Sequence, residues 1–157
     1  MTNNKPKHVG LISDTHGLLR DSAVKALAGS DLIIHAGDID KPEIIDSLKK
    51  IAPVFPVCGN MDRNPDAALP RYEIVEIEEI SIYILHDLHQ LDLDPAAAGF
   101  NVVVSGHSHR PQIRYRDGVL YINPGSAGPR RFTLPISVGR LEIENGEITP
   151  KIIELER

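Results

Sequence analysis

KHVGLISDTHGLLRDSAVKALAGSDLIIHAGDIDKPEIIDSLKKIAPVFPVCGN, residues 7–60, decides the fold. Residues 7–13, 31–35 and 54–58 are short apolar runs, the texture of strands buried on both faces. Between the first two, Arg20–Gly29 carries apolar residues at helical spacing, with Val24, Leu27 and Ala28 on one face. PEIIDSLKKI (42–51) then opens a second helix. Its proline sits at a tolerated first-turn position, and Glu43 lies near the positive end of the helix dipole. The order β-α-β-α-β predicts a parallel sheet with right-handed crossovers.

Beyond Asn60 the texture changes. The polar loop MDRNPDAALP leads into YEIVEI (72–77) and ISIYIL (80–85), alternating runs joined at Glu78-Glu79, which read as a hairpin. DPAAAGF (94–100) reads as a short helix capped by Asp94 and stopped at Gly99. NVVVS is a further buried strand. QIRYR and VLYIN flank Asp117-Gly118, and SVGRLEIE and EITPKIIELE flank Asn145-Gly146, both strong two-residue hairpin signals. The second half is therefore expected to be mostly antiparallel. With no linker, repeat or low-complexity tract, residues 1–157 read as a single domain of two packed sheets with outer helices.

A chain of 157 residues, 41% hydrophobic, is long enough for a real core. Its formal charge of −5 argues against an extended nucleic-acid-binding face, without excluding a nucleotide-sized substrate. Cys58 is the only cysteine, so no internal disulfide forms and a reducing compartment is expected. The start, MTNNKPKHVG, has no signal-peptide apolar region, and no apolar run approaches membrane-spanning length. A cytoplasmic protein is the expectation.

Seven side chains able to ligate a metal stand at the ends of the strand-like runs. They are Asp14 and His16 after VGLIS, Asp38 after LIIHAG, Asn60 after VFPVCG, His86 after ISIYIL, and His107 and His109 after NVVVSG. Oxygen and imidazole ligands together suit Mn²⁺, Fe or Zn²⁺ better than Ca²⁺ or a thiolate zinc cage, and seven ligands fit two ions better than one. Taken singly, each piece has a plainer reading. Asp-x-His is also an N-cap beside a surface imidazole, and Gly-Asp and Gly-Asn are ordinary turn dipeptides. Their occurrence in order, each after a buried strand, is what favours a metal site. His35, inside LIIHAG, reads as a buried, hydrogen-bonded histidine rather than a ligand.

The series Asp14-Thr15-His16-Gly17, Gly37-Asp38, Cys58-Gly59-Asn60-Met61-Asp62, His86, Gly106-His107-Ser108-His109 and Asn123-Pro124-Gly125-Ser126 resembles the calcineurin-like metallophosphoesterase superfamily. More narrowly, it is similar to the small single-domain bacterial and archaeal phosphodiesterases of that superfamily. The resemblance implies an α/β (α+β) four-layer sandwich, two packed mixed β-sheets flanked by helices. It also implies a metal-dependent phosphodiesterase in which Asp14, His16 and His109 hold one divalent ion. Asn60, His86 and His107 hold a second, and Asp38 bridges both, with Mn²⁺ expected first and Zn²⁺, Fe²⁺ or Ni²⁺ as alternatives. On this reading Asp38, Asn60 and His107 are the catalytic residues, Asn60 donating to a phosphate oxygen. The ion pair activates a hydroxide for in-line attack.

Two positions depart from the family pattern. Met61 stands where many larger members carry the histidine assigned as leaving-group acid, and Asp87 stands where relatives usually have glycine. His89 is left as a candidate substrate contact. Arg63, beside the Asn60 motif, is a second, because a guanidinium fork suits phosphate oxygens. Asn123-Pro124-Gly125-Ser126 is read as support for the metal histidines. The expected partner is a small phosphate ester, with no extended nucleic acid and no membrane, and self-association is left open. The competing functions are a phosphomonoesterase or nuclease with the same site, and a protein-interaction scaffold like the retromer subunit of similar fold.

Overall fold

The computed structural model describes residues 5–59 and 69–155. In chain order the elements are β1 (Lys7–Ile12), α1 (Asp21–Leu27), β2 (Leu32–His35), α2 (Pro42–Lys49) and β3 (Val54–Pro56). Then come β4 (Tyr72–Ile77), β5 (Ile80–Leu85), β6 (Val102–Val104), β7 (Gln112–Arg116), β8 (Val119–Asn123), β9 (Ser137–Glu144) and β10 (Glu147–Glu154). They build two five-stranded sheets, ordered β10-β9-β1-β2-β3 and β4-β5-β6-β8-β7.

Period-2 alternation sorts the side chains into three apolar layers. Val9, Leu11 and Ile34 of the first sheet meet Ile82, Ile84 and Ile122 of the second in the central layer. The opposite face of the first sheet, with Ile12 and Ile33, packs on Ala23 and Leu27 of α1 and Ile44 and Leu48 of α2. The outer face of the second sheet, with Tyr83, Leu85 and Val103, is covered by Leu88, Leu91, Leu93 and Phe100. That last cover is a single 3-10 turn, Leu88–Gln90, and hydrogen-bonded turns.

The expected α/β architecture of two mixed sheets is present, with three local differences. Ala28 is exposed and Ala23 takes its place, because the chain turns extended at Ala28 and left-handed at Gly29. Residues 94–100 make one capped turn rather than a helix. Asp94 Oδ1 accepts from the Ala96 and Ala97 amides, but Gly99 ends the run before a second turn can offset the cost of nucleation. The second sheet is also less antiparallel than expected, since β5, β6 and β8 run parallel. The three hairpins form where expected; even Glu78-Glu79, without glycine or asparagine, takes two positive φ angles of 49° and 67°.

Arg140 of β9 reaches across the first sheet to the C-terminal end of α1. Its Nη2 donates to the carbonyls of Ala26 (2.9 Å) and Ala28 (3.0 Å), meeting unpaired carbonyls at the negative end of the helix dipole. Arg140→Met is expected to lower unfolding stability by about 1–3 kcal/mol. Urea denaturation measures this; an unchanged midpoint would show that α1 does not depend on the contact.

Candidate metal centre

The C-terminal ends of β1, β2 and β3 in one sheet and of β5, β6 and β8 in the other open onto the same rim. This is where parallel sheets present their loops to ligands. The loops are tied together by their backbones. Asp14 N–H donates to Gly37 O and His16 N–H to Asp38 O, both at 2.9 Å, and Gly106 N–H donates to His86 O at 2.9 Å. Asp14, His16, Asp38, Asp40, His107 and His109 all adopt left-handed φ angles between 46° and 72°. Such φ values are uncommon for side-chain-bearing residues, and their concentration at one rim marks a constrained site.

Asp14 lies at the centre and is fully buried. Its Oδ2 accepts from Ser13 Oγ (2.7 Å) and from His107 N–H (3.1 Å). Its Oδ1 has no hydrogen-bond partner. That oxygen instead faces three imidazoles, at 3.4 Å from His109 Nε2 and 3.9 Å from both His16 Nε2 and His86 Nε2. Asp38 stands between two of those rings, its Oδ2 3.7 Å from His16 Nε2 and 3.2 Å from His86 Nε2.

The rings are oriented from behind. His86 Nδ1–H donates to Ala36 O at 2.7 Å, which turns Nε2 toward the carboxylates. His16 Nδ1 lies 3.4 Å from Asp40 Oδ2, which likewise aims its Nε2 inward. An outer acceptor that fixes the tautomer and direction of a histidine is a recurrent feature of metal sites. Burial is the largest influence on His86 and favours the neutral ring. The Asp38 and Asp14 carboxylates and the Ala36 carbonyl together outweigh it and raise the pKa above the ordinary histidine value. The same negative field that draws a proton to this ring would draw a cation.

Two overlapping groups emerge among the described residues: Asp14, His16 and His109, and Asp14, Asp38 and His86, each with its ligating atoms within 4.8 Å of one another. Ligands about 2.0–2.2 Å from a tetrahedral ion stand roughly 3.3–3.6 Å apart. The 3.2–3.9 Å separations above bracket that range. Asp14 Oδ1, His16 Nε2 and His86 Nε2 are all buried without a hydrogen bond, a costly arrangement unless something positive sits among them. The donor set fits divalent cations.

His107 stands apart from these groups. Its side chain is 43% exposed, its ring lies 5.3 Å from that of His86, and its Nε2 is 3.9 Å from Asp87 Oδ2. Asp87 Oδ1 accepts from the backbone of His89 (3.0 Å) and pairs with its ring (3.1 Å). Burial, the largest influence on Asp87, raises its pKa, but His89 and His107 overcome it and the carboxyl titrates below its usual range. His89 is 94% exposed and is outside both groups. Asn60, Met61 and Arg63 lie outside the described residues.

His35 is fully buried, as the sequence suggests. Its Nδ1 accepts from Gly37 N–H (3.1 Å) and its Nε2 meets Thr15 Oγ1 (3.0 Å), bracing the β1 and β2 loops. The Asn123–Ser126 loop supports the site as expected. Asn123 Nδ2 donates to Gly106 O (2.9 Å) and Ser108 Oγ (3.2 Å), and Ser126 Oγ donates to Asp14 O (3.0 Å). Sequence reasoning missed Ser13 and Asp40. The Asp38-x-Asp40 spacing was a usable signal for the second; Ser13 offered none.

Residues 8–146 match the family profile of the calcineurin-like phosphoesterase superfamily domain. A probable metallophosphoesterase of Methanothermobacter thermautotrophicus is 36% identical over 92% of this chain and 91% of its own. The solved structure of an archaeal phosphodiesterase is 26% identical, with a TM-score of 0.76 over 93% of this chain and 99% of that one. Vacuolar protein sorting 29 of Cryptosporidium parvum shares the fold at 22% identity and a TM-score of 0.77, covering 97% and 99% of the two chains.

A Cβ on Gly106 would meet Ser13 Oγ and come within 2.8 Å of Asp14 Oδ2, disturbing the contacts that hold Asp14 in place. Gly106→Ala is expected to weaken divalent-cation binding about tenfold or more, since displaced supports of metal ligands cost roughly 10–100-fold in affinity. Calorimetric titration with Mn²⁺ tests this. Wild-type affinity in the variant would detach the β6 loop from the site.

Proposed function

The chain belongs to the calcineurin-like phosphoesterase superfamily and is a metallophosphoesterase, and from that premise we propose that it hydrolyses phosphodiesters with two divalent cations held between its sheets. The observation that carries this reading is the pair of overlapping carboxylate–imidazole groups sharing Asp14. Asp14, His16 and His109 are assigned to one ion, Asn60, His86 and His107 to the other, and Asp38 to both. The position of Asp38 Oδ2 between His16 and His86 supports the last assignment. Mn²⁺ is the proposed metal, with Zn²⁺, Fe²⁺ and Ni²⁺ as alternatives. Such a pair supplies Lewis acidity that readies water for attack and offsets charge on the phosphate.

The chain's own residues do the rest. Ser13 and the His107 amide pin Asp14 Oδ2, so that its other oxygen stays turned inward. Ala36 O and Asp40 hold the His86 and His16 rings edge-on to the carboxylates. The Asn60 carboxamide donates to a phosphate oxygen as charge develops there. His107, at the mouth, faces the incoming ester, and Arg63 and His89 are its proposed further contacts. Asp38, Asn60 and His107 form the catalytic set.

The likeness to an archaeal phosphodiesterase supports the diester over the monoester or nuclease reading. The resemblance to vacuolar protein sorting 29 bears on the fold alone, and the intact ligand positions at both groups favour catalysis over a purely scaffolding role. Both sheets contribute to one site, which supports treating residues 1–157 as one domain acting on a small phosphate ester. Among the described residues no helix is long and apolar enough to cross a membrane. The lone Cys58 is in keeping with a cytoplasmic setting.

Chelator-stripped protein is expected to lose hydrolysis of bis(p-nitrophenyl) phosphate and to regain it with Mn²⁺. Full turnover by the stripped protein would remove the metal proposal. Asp38→Asn should lower kcat by roughly 100-fold or more, against less than about tenfold for His89→Ala. The reverse order in steady-state kinetics would overturn the bridging assignment.

A further inference from the structure

A groove of about 460 Å³ leaves the metal centre at Asp87, His107 and Ser108 and runs along the outer face of β7 and β8 to Arg114 and Arg116. Its volume suits a small-molecule arm rather than a macromolecular surface. Resting on the phosphodiesterase reading above, we propose that this groove binds the substrate arm beyond the attacked phosphorus, and that Arg114 and Arg116 select an arm carrying a second phosphate.

The register fixes the spacing. Gln112 stands opposite Asn123, whose side chain holds the loop of His107 and Ser108; Arg114 stands opposite Tyr121, and Arg116 opposite Val119. At about 3.3 Å per residue, the two arginines follow the Asn123 position by roughly 7 and 13 Å along the strand. Alternation puts Gln112, Arg114 and Arg116 on the same face, all lining the groove. The arm therefore meets one cation about one sugar unit from the catalytic loops and a second one step further.

The arginines are placed and free to recognise an anion. The Arg114 guanidinium lies over the Tyr121 ring, 5.6 Å from its centroid. Stacking restricts the side chain while leaving its N–H fork for a phosphate. Among the described residues neither arginine is paired with a carboxylate. On a chain of formal charge −5, two unpaired cations in one groove leading from the reactive site are a local reversal of sign. Asp87, the acidic residue of the lining, is at the catalytic end and is engaged by His89. That places the repulsion away from the arm's far phosphate.

The test uses the Mn²⁺-supplemented protein with adenosine 3′,5′-bisphosphate and AMP as probes. Calorimetry should show the bisphosphate binding about tenfold or more tightly than AMP. Arg114→Met/Arg116→Met should abolish that preference while leaving AMP affinity within about twofold, because only the second phosphate reaches the arginines. Arg114→Lys, which keeps the charge but loses the fork and the stacking, should retain only part of the preference. Absence of a preference in the wild type, or its survival in the double variant, overturns the proposal and leaves the arginines as guards of an exposed edge strand. Hydrolysis of bis(p-nitrophenyl) phosphate is measured on the same samples. An arginine-dependent preference without hydrolysis would fail the diesterase reading alone, and hydrolysis without the preference would fail this one alone.

Discussion

The structure depends on one buried carboxylate. Asp14 is out of water, with one oxygen satisfied by Ser13 and the His107 amide and the other bare among three imidazole nitrogens. A lone buried carboxylate is strongly disfavoured, and imidazole nitrogens at 3.4–3.9 Å that make no hydrogen bond to this oxygen do not compensate it. A cation does. The surrounding architecture makes sense as the means of holding this oxygen in place until a cation arrives. Serine and a backbone amide fix the carboxylate on one side, and rings on the other are held by Ala36 O and Asp40.

Holding those groups requires backbone that the loops would not adopt alone. Six loop residues sit at left-handed φ, each at a cost of order 1 kcal/mol. Loops alone would relax. Here they cannot, because each leaves a strand locked in a sheet and is stitched to its neighbour through Asp14 N–H to Gly37 O and His16 N–H to Asp38 O. Thr15 and His35 add a buried side-chain link between the same two loops. The strain is distributed over elements that have no other place to go.

What the sequence made legible follows from which signals are local. Alternation within β5 and the Asp117-Gly118 and Asn145-Gly146 turns are written in adjacent residues, so strands and hairpins could be read directly. The parallel pairing of β5, β6 and β8 joins residues about twenty apart, and nothing local encodes it. The 94–100 turn carried a helix cap and a helix stop without the length between them. In the site, Asp14, His16, Asp38, His86 and His109 were legible as ligating types at strand ends, and they do converge. His107 was legible too, but its ring keeps to the mouth. Ser13 and Asp40 were not legible, because a hydroxyl or carboxylate acting on another ligand has meaning only once the partner is beside it. Arg114 and Arg116 read as ordinary strand charges until the register placed them on one face of a groove.

The proposed ligands divide between the sheets, and that division carries a further consequence. Both carboxylates, with His16, come from loops of the first sheet, while His86, His107 and His109 come from loops of the second. The negative half of the site and most of its imidazoles thus ride on different sheets, joined through the apolar layer of Leu11, Ile34, Ile82, Ile84 and Ile122 and through the hydrogen bonds of His86 to Ala36 and of His107 to Asp14. Metal–ligand bonds tolerate errors of only about 0.2 Å. Close-packed interiors transmit even the loss of one methylene. The side chains of that layer therefore act as spacers for the metal centre as well as ballast for the fold. Their volumes, together with those hydrogen bonds, hold Asp14 and Asp38 at their distances from His86 and His109, so the hydrophobic core and the site share one geometric constraint.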